Sequence, residues 1–315
     1  MKQPGSQLAE LYRRWGRCVF EAHGVYFTNV DPGSRMFAPV LDHGNFDFTR
    51  EECEQVLREG RGLVLRYPSS AQAGLAGGAY VCTDRAYDYP QLTKRMRNYV
   101  RRGQDACEIR ALFREELIAH GLRLNQETDE RHGRRRAEFC DAQRWTATAA
   151  AAFESPGAFV MGAWVDGQLA SYQIGMLEGD WAYALIQMSR TDLLEHHPNH
   201  ALDFAFNRWA FRQPGVSGVC IGPVPLRHNE GLHNYKIRMG FEARPMNTAI
   251  RLHPALAMTA GHRGAEWLIG AARRFAPLRD PLEGLEIAIR GSRITAQEEV
   301  ILPFSNVAEQ KRETI

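Results

Sequence analysis

The feature that most constrains this chain is the succession of strand and helix signals from Gly157 to Phe241. AFVMGAWV (Ala158–Val165) is apolar and β-compatible, and Asp166-Gly167 supplies two residues that tolerate the left-handed region of a short hairpin turn. QLASYQIGML (Gln168–Leu177) returns, Glu178-Gly179-Asp180 turns again, and WAYALIQMS (Trp181–Ser189) makes a third strand. A polar, His-rich bend leads into HALDFAFNRWAF (His200–Phe211), whose Leu202, Phe206 and Trp209 recur near the helical period. GVCIGPVP (Gly218–Pro225) reads as a further strand, and Glu230–Arg238 as a helix that Gly240 stops.

The flanking sequence is less regular. SQLAELYRRWGRCVFEAHG (Ser6–Gly24) opens on a Ser cap, places Leu8, Leu11, Trp15 and Val19 on one helical face, and has Gly24 as its stop. VYFTNV (Val25–Val30) reads as a strand before the turn Asp31–Ser34. FTREECEQVLREG (Phe48–Gly60) carries Thr49 as N-cap, Glu52 three positions later and a terminal glycine, the pattern of a capping box. GLVLRYPS (Gly62–Ser69), GGAYVCTDRAY (Gly77–Tyr87) and NTAIRLHP (Asn247–Pro254) read as strands, and Ala257–Pro277 as an amphipathic helix before a mixed polar tail.

The charge is nearly balanced, with 39 basic and 37 acidic residues and a net +2, which gives no general reason to invoke nucleic acid or a membrane. It is concentrated in one place. Lys94, Arg95, Arg97, Arg101 and Arg102 interleave with Leu92, Met96, Tyr99 and Val100, as either the solvated face of an amphipathic helix or a surface for nucleotide phosphates or RNA. The six cysteines form no CxxC pair, so reduced thiols are expected in place of a disulfide framework or a zinc cluster. No apolar run has the length of a signal peptide or a membrane span, and the expected location is the cytoplasm, with no membrane partner.

RHNEGLHNYKIRMGFEARP (Arg227–Pro245), in which Asn229 opens a helix and Met239-Gly240-Phe241 closes it, resembles a segment of the GNAT acyltransferases. The preceding meander, helix, strand and helix resemble the acyltransferase half of that superfamily. The basic segment, followed by Glu116–Gly157 with Asp129-Glu130-Arg131-His132, resembles the FemAB-type transferases, in which a Lys/Arg-rich helix stands between two GNAT-like halves. The resemblance runs from about Gly62 to Arg244. It implies an α/β (α+β) fold with a GNAT-like mixed, largely antiparallel sheet flanked by helices. Two such halves in tandem are expected: a degenerate copy over residues 1–115 and the acyltransferase half over 116–254, before a C-terminal helix and tail over 255–315.

In that superfamily the donor thioester lies in a V-shaped gap between two parallel strands, which here are Trp181–Ser189 and Gly218–Pro225. Main-chain amides polarise its carbonyl as oxyanion charge develops, and the pantetheine pairs with the edge of the first strand, which nominates Gln187, Met188 and Ser189. The resemblance thus implies acetyl-CoA or another acyl-CoA as donor, a small-molecule amine or amino acid as acceptor, and no metal. The family's glycine-rich pyrophosphate turn is missing: Ser189–Phe204 contains no glycine, and only the helix start after Pro198, with Asn199 as N-cap, offers amides in its place. That departure leaves two other readings open. One is a FemAB-like aminoacyltransferase using aminoacyl-tRNA, which would also employ the basic segment. The other is a GNAT-fold binding protein without catalysis. His196, His197 and His200 fit no zinc template; His200 is the candidate base for an incoming ammonium group. Tyr235 stands one position before the family's usual tyrosine, whose place Lys236 takes. Tyr235 is the candidate acid for the leaving thiolate, and Lys236 and Asn229 are candidates for holding the donor. Asp166 and Glu178 read as turn residues.

Overall fold

The structure, a computed structural model, describes residues 3–133, 136–226, 229–260 and 279–294. The chain begins with α1 (Ser6–Arg14), β1 (Val19–Ala22), β2 (Val25–Asn29), β3 (Met36–Pro39), α2 (Arg50–Glu59), β4 (Val64–Ser69) and β5 (Leu75–Cys82). It continues through α3 (Lys94–Ala106), β6 (Glu108–Ala111), α4 (Arg114–Arg131), α5 (Ala137–Cys140) and α6 (Ala142–Glu154). The meander follows as β7 (Ala158–Val165), β8 (Gln168–Glu178) and β9 (Trp181–Ser189). Then come α7 (Pro198–Arg212), β10 (Gly218–Pro223), α8 (Glu230–Arg238), β11 (Glu242–Leu252), α9 (Pro254–Ala260) and α10 (Arg279–Ser292). The helix expected over Ala257–Pro277 begins within α9, and its remainder lies outside the described residues.

Two compact units are assembled from this order. One takes the N-terminal residues to Arg17, Tyr80–Gly222 and Asn234–Glu242; the other takes Cys18–Ala79, Pro223–His233 and the chain from Ala243. The divisions expected at residues 115 and 254 follow continuous segments, whereas each of these units gathers separated ones.

In the first unit the strand order is β10-β9-β8-β7-β6, with β5 beside β10. Strands β6 to β9 pair antiparallel and β9 pairs β10 in parallel, a mixed and largely antiparallel sheet. The β7–β8 turn has the expected form, with Asp166 at φ 47° and Gly167 at φ 72°. Successive residues of β8 sort the helices onto two faces. Tyr172 packs 5.7 Å from the Trp145 ring of α6 and donates its hydroxyl to Asn125 of α4. Ser171, pointing the other way, donates to Asn199 of α7 at 2.7 Å. Glu178 is more than a turn residue: its buried carboxylate accepts the α1 amides of Gln7 (2.7 Å) and Leu8 (3.0 Å), in place of the expected Ser6 cap. The residue before α1 is Gly5, which has no side chain to cap with.

The helix expected over Ser6–Gly24 stops at Arg14. Gly16, at φ 75°, turns the chain, and Val19–Ala22 pairs antiparallel with β2. His23 (φ 51°) and Gly24 (φ 72°) form the two-residue turn of this hairpin, so the glycine that looked like a helix stop is a hairpin residue. In the second unit the order is β1-β2-β3-β4-β11, with β3 and β4 parallel and the other pairs antiparallel. Its aromatic core joins Phe27, Phe37, Phe48 and Tyr67 to Val56 and Leu57 of α2. The α2 capping box is present as expected: Glu52 N donates to Thr49 Oγ1 (3.2 Å) and Thr49 N to Glu52 Oε2 (2.7 Å). No helix among the described residues is long and apolar enough to cross a membrane.

Candidate active site

The parallel pairing of β9 with β10 is short. It joins Trp181–Tyr183 to Gly218–Cys220, whereas β9 runs on to Ser189 and β10 to Pro223. Just past the last pair, β9 carries a bulge: Ala184 faces Gly175 and Ile186 faces Ile174, leaving Leu185 as the extra residue. A bulge twists its strand and ends regular pairing, so the sequence here opens a gap between two parallel strands.

Side chains from four elements of the first unit meet around this opening. Lys236 of α8 donates from Nζ to the carbonyl of Ile221 at 2.8 Å, one residue beyond the last β10 pair, and lies 4.3 Å from the centroid of the Tyr80 ring. Asp203 of α7 accepts from Gln187 Nε2 of β9 at 2.8 Å and from the Tyr235 hydroxyl of α8. Burial pushes the Asp203 carboxyl up to about 6, and the two donors and the Lys236 ammonium limit the rise. Burial and the neighbouring Asp203 hold the Tyr235 phenol well above its usual range. His200, one turn before Asp203, meets Tyr235 edge to face with centroids 5.3 Å apart. Burial brings its imidazole down to about 4, so it is neutral at pH 7, and its buried Nδ1 has no hydrogen-bond partner. A carboxylate titrating near 6 is a better-matched base at neutral pH than an imidazole titrating near 4.

Four of the residues nominated from sequence therefore come together: Gln187, His200, Tyr235 and Lys236. The others lie elsewhere. Ser189 is engaged by Thr128, whose hydroxyl lies 2.9 Å from its amide and 3.0 Å from its carbonyl, while Arg131 donates to its Oγ at 3.0 Å. Asn199 donates to the same Oγ at 3.3 Å and does not cap α7. That helix begins one residue earlier, at Pro198, behind a left-handed His197 (φ 56°). Met188 is buried, with the Arg136 guanidinium 3.8 Å from its sulfur. Asn229 belongs to the second unit, where its side chain accepts the Leu232 amide at 3.0 Å and caps α8. Asp203 was missed. Its one signal was a carboxylate set between the apolar Leu202 and Phe204.

The first turn of α7 is packed against α3. A methyl group placed on Gly103 would lie 2.6 Å from the His197 carbonyl, and the Tyr99 ring stacks on His197 with centroids 4.5 Å apart. Lys94, Arg95, Arg101 and Arg102 of α3 are exposed to solvent, with Arg97 half-buried. None of the five pairs with a carboxylate of the described residues: Arg95 donates to the Tyr99 hydroxyl (2.8 Å), Arg97 to the Leu92 carbonyl (3.2 Å), and Arg101 lies over the Tyr89 ring. Among the described residues no three His, Cys, Asp or Glu side chains are grouped to hold a metal ion.

No family model matches the sequence, and no curated protein matches it. Solved structures do. FemX superposes with a TM-score of 0.56 at 12% identity, over 81% of this chain and 93% of that one. The C-terminal domain named for a lysylphosphatidylglycerol synthetase of Agrobacterium fabrum gives 0.54 at 14%, over 81% and 89%. L-PGS from Bacillus licheniformis gives 0.50 at 12%, over 77% and 86%. At such identities the likeness is one of fold: this chain shares the fold of FemX and of the two lysylphosphatidylglycerol synthetase structures.

Proposed function

We propose that the chain is an N-acyltransferase that moves an acyl group from an activated ester to an amine at the opening between β9 and β10. The observation that carries the reading is the meeting there of a carboxylate titrating near 6 with a lysine ammonium. An amine acceptor arrives as ammonium and must lose a proton before it attacks, which is work for Asp203. Attack on the carbonyl makes a tetrahedral oxyanion, and the Lys236 ammonium at the Ile221 carbonyl stands where a positive charge stabilises it. The nitrogen, now bonded to carbon, gives up a second proton to Asp203, which has passed the first to solvent, and that second proton goes to the departing oxygen as its bond to carbon breaks. Gln187 and Tyr235 hold Asp203 in place throughout.

We further propose aminoacyl-tRNA as the donor. In the superfamily the pyrophosphate of the coenzyme occupies the helix start after the first central strand. Here the side of that turn facing α3 is closed by Gly103 and Tyr99. The cations of α3, none matched by a carboxylate among the described residues, favour a polyanion, and a phenol held above its usual range is poorly matched to protonate a thiolate. The printed name of the lysylphosphatidylglycerol synthetase neighbour agrees with transfer of an aminoacyl group. The test is calorimetric titration of the full chain with a non-hydrolysable aminoacyl-RNA minihelix and, separately, with acetyl-CoA. Saturable binding of the RNA with a flat coenzyme titration supports the proposal. The reverse pattern replaces the donor by an acyl-CoA, and two flat titrations on folded protein remove the transferase reading.

A further inference from the structure

A second feature lies in the other unit and does not depend on the transferase reading. Arg66 stands in the middle of β4, directly opposite Ile250 of β11. Strand alternation gives it the same face as Val64, and that face is apolar. Val64, Ile250 and Ala288 of α10 form a cluster there, with Met36, Leu226 and Leu256 packed on it. A guanidinium in such a place is normally matched by a carboxylate. Arg66 is not: it makes no hydrogen bond or ion pair with any described residue, and Asp42 and Asp31 act on it only through space. The surrounding protein removes enough water to pull its pKa below the usual arginine value.

Two cavities of this unit share Arg66 as a wall. The smaller, about 90 Å³, is also lined by Asp42, Tyr67 and Thr248. The larger, about 980 Å³, is lined by the apolar cluster and by Asp31, Ser34 and Arg35, Arg35 being tied to the Arg61 carbonyl at 2.9 Å. We infer that this unit binds an amphiphilic anion, with its acidic head on Arg66 and its apolar chain along the Val64–Ile250–Ala288 wall. The planar fork of arginine matches a carboxylate or a phosphate with two parallel hydrogen bonds. An apolar chain laid on the wall is removed from water in the same event. A neutral chain of the same length fills the space and leaves the guanidinium unmatched, so the head group sets the affinity.

The experiment is calorimetric titration of the full chain with dodecanoate, dodecyl phosphate, dodecanol, acetate and inorganic phosphate. Saturable binding of at least one dodecyl anion, at least ten-fold tighter than dodecanol, is the expected result, with acetate and inorganic phosphate flat. A stronger response to dodecyl phosphate assigns a phosphate head; a stronger response to dodecanoate assigns a carboxylate. Arg66→Met keeps the stem and removes the charge, and should weaken the anions about 10- to 100-fold while leaving dodecanol unchanged. Its ligand-free melting temperature should equal or exceed that of the native chain, because an unmatched charge is gone. Equal affinity for dodecanol and the anions, no saturable binding of either anion, or unaltered anion binding by folded Arg66→Met overturns the inference. If the variant does not fold, the comparison of dodecanol with the dodecyl anions on the native chain still decides.

Discussion

Asp203→Asn should make the protein more stable and inactive. The carboxyl titrates near 6 in the fold against an ordinary 3.8, a difference worth about 3 kcal/mol at 1.36 kcal/mol per pKa unit. The sign follows from proton binding. Between roughly pH 4 and 6 the folded chain keeps a proton that the unfolded chain has released, so stability falls as pH rises through this window and stays lower above it. Asparagine cannot ionise; its oxygen can accept from Gln187, and its NH2, standing where the second carboxylate oxygen was, can donate to the Tyr235 hydroxyl once that hydroxyl turns round. Those contacts become neutral hydrogen bonds, which are weaker by about 1 kcal/mol or somewhat more. The net expectation is a gain of roughly 1–3 kcal/mol at pH 8 and almost none at pH 4, read by urea unfolding at both values. Loss of an acyl-transfer base should at the same time cost about 10²–10⁴-fold in kcat. A variant that is less stable than the native chain at pH 8 by more than about 1 kcal/mol, or whose stability falls equally between pH 4 and 8, would refute the reasoning.

The other predictions concern neighbouring parts of the first unit. Tyr235→Phe removes a hydrogen bond that lowers the Asp203 pKa, so the acid limb of the kcat/KM profile should move to higher pH with stability little changed. An unmoved limb would separate Tyr235 from the base. Arg101→Ala with Arg102→Ala should weaken binding of the aminoacyl-RNA minihelix and reduce the magnitude of its log–log salt slope by up to about 0.7–0.9 for each phosphate that α3 no longer neutralises. An unchanged slope would return α3 to a solvated face. Glu178→Ala strips the acceptor from the Gln7 and Leu8 amides and should cost about 1–2 kcal/mol in urea unfolding, without altering the pH profile of transfer. An unchanged urea midpoint would mean that this cap contributes nothing.

Much of the fold was legible because its signals are local. The Asp166-Gly167 turn, the Thr49–Glu52 box and the Gly240 stop each depend on residues within a few positions of one another. The helix misread over Ser6–Gly24 shows the limit of that locality. Leu8, Leu11, Trp15 and Val19 do recur at helical spacing, but Val19 gains more by pairing with Thr28 than by extending a helix through Gly16. At the site, the GNAT resemblance nominated Gln187, Tyr235 and Lys236, and the His-rich bend nominated His200. Asp203 was not, because what distinguishes it is created by contacts with residues 16 positions before it and 32 after it. A carboxylate on a helix acquires a role from what the tertiary fold brings against it, and no periodicity records that.

The charges enclosed by this chain separate into two kinds, and the distinction is physical. Asp129, 1% exposed, is met by Arg136 through its guanidinium at 2.6 and 3.0 Å and its amide at 2.8 Å, and its carboxyl stays below the usual range despite burial. A charge so fully answered holds α4 to the segment before α5 and asks nothing of a ligand. Asp203 and Arg66 are answered incompletely, and burial shifts each toward its neutral form. Such a shift costs stability in the free protein, which a fold has no structural reason to bear. On the two readings proposed above it is recovered when the missing partner arrives: a proton from an attacking ammonium at Asp203, an acidic head at Arg66. The same reasoning sets His200 apart. Its neutral imidazole carries no charge to be answered, and its buried Nδ1 is left without a hydrogen bond among the described residues.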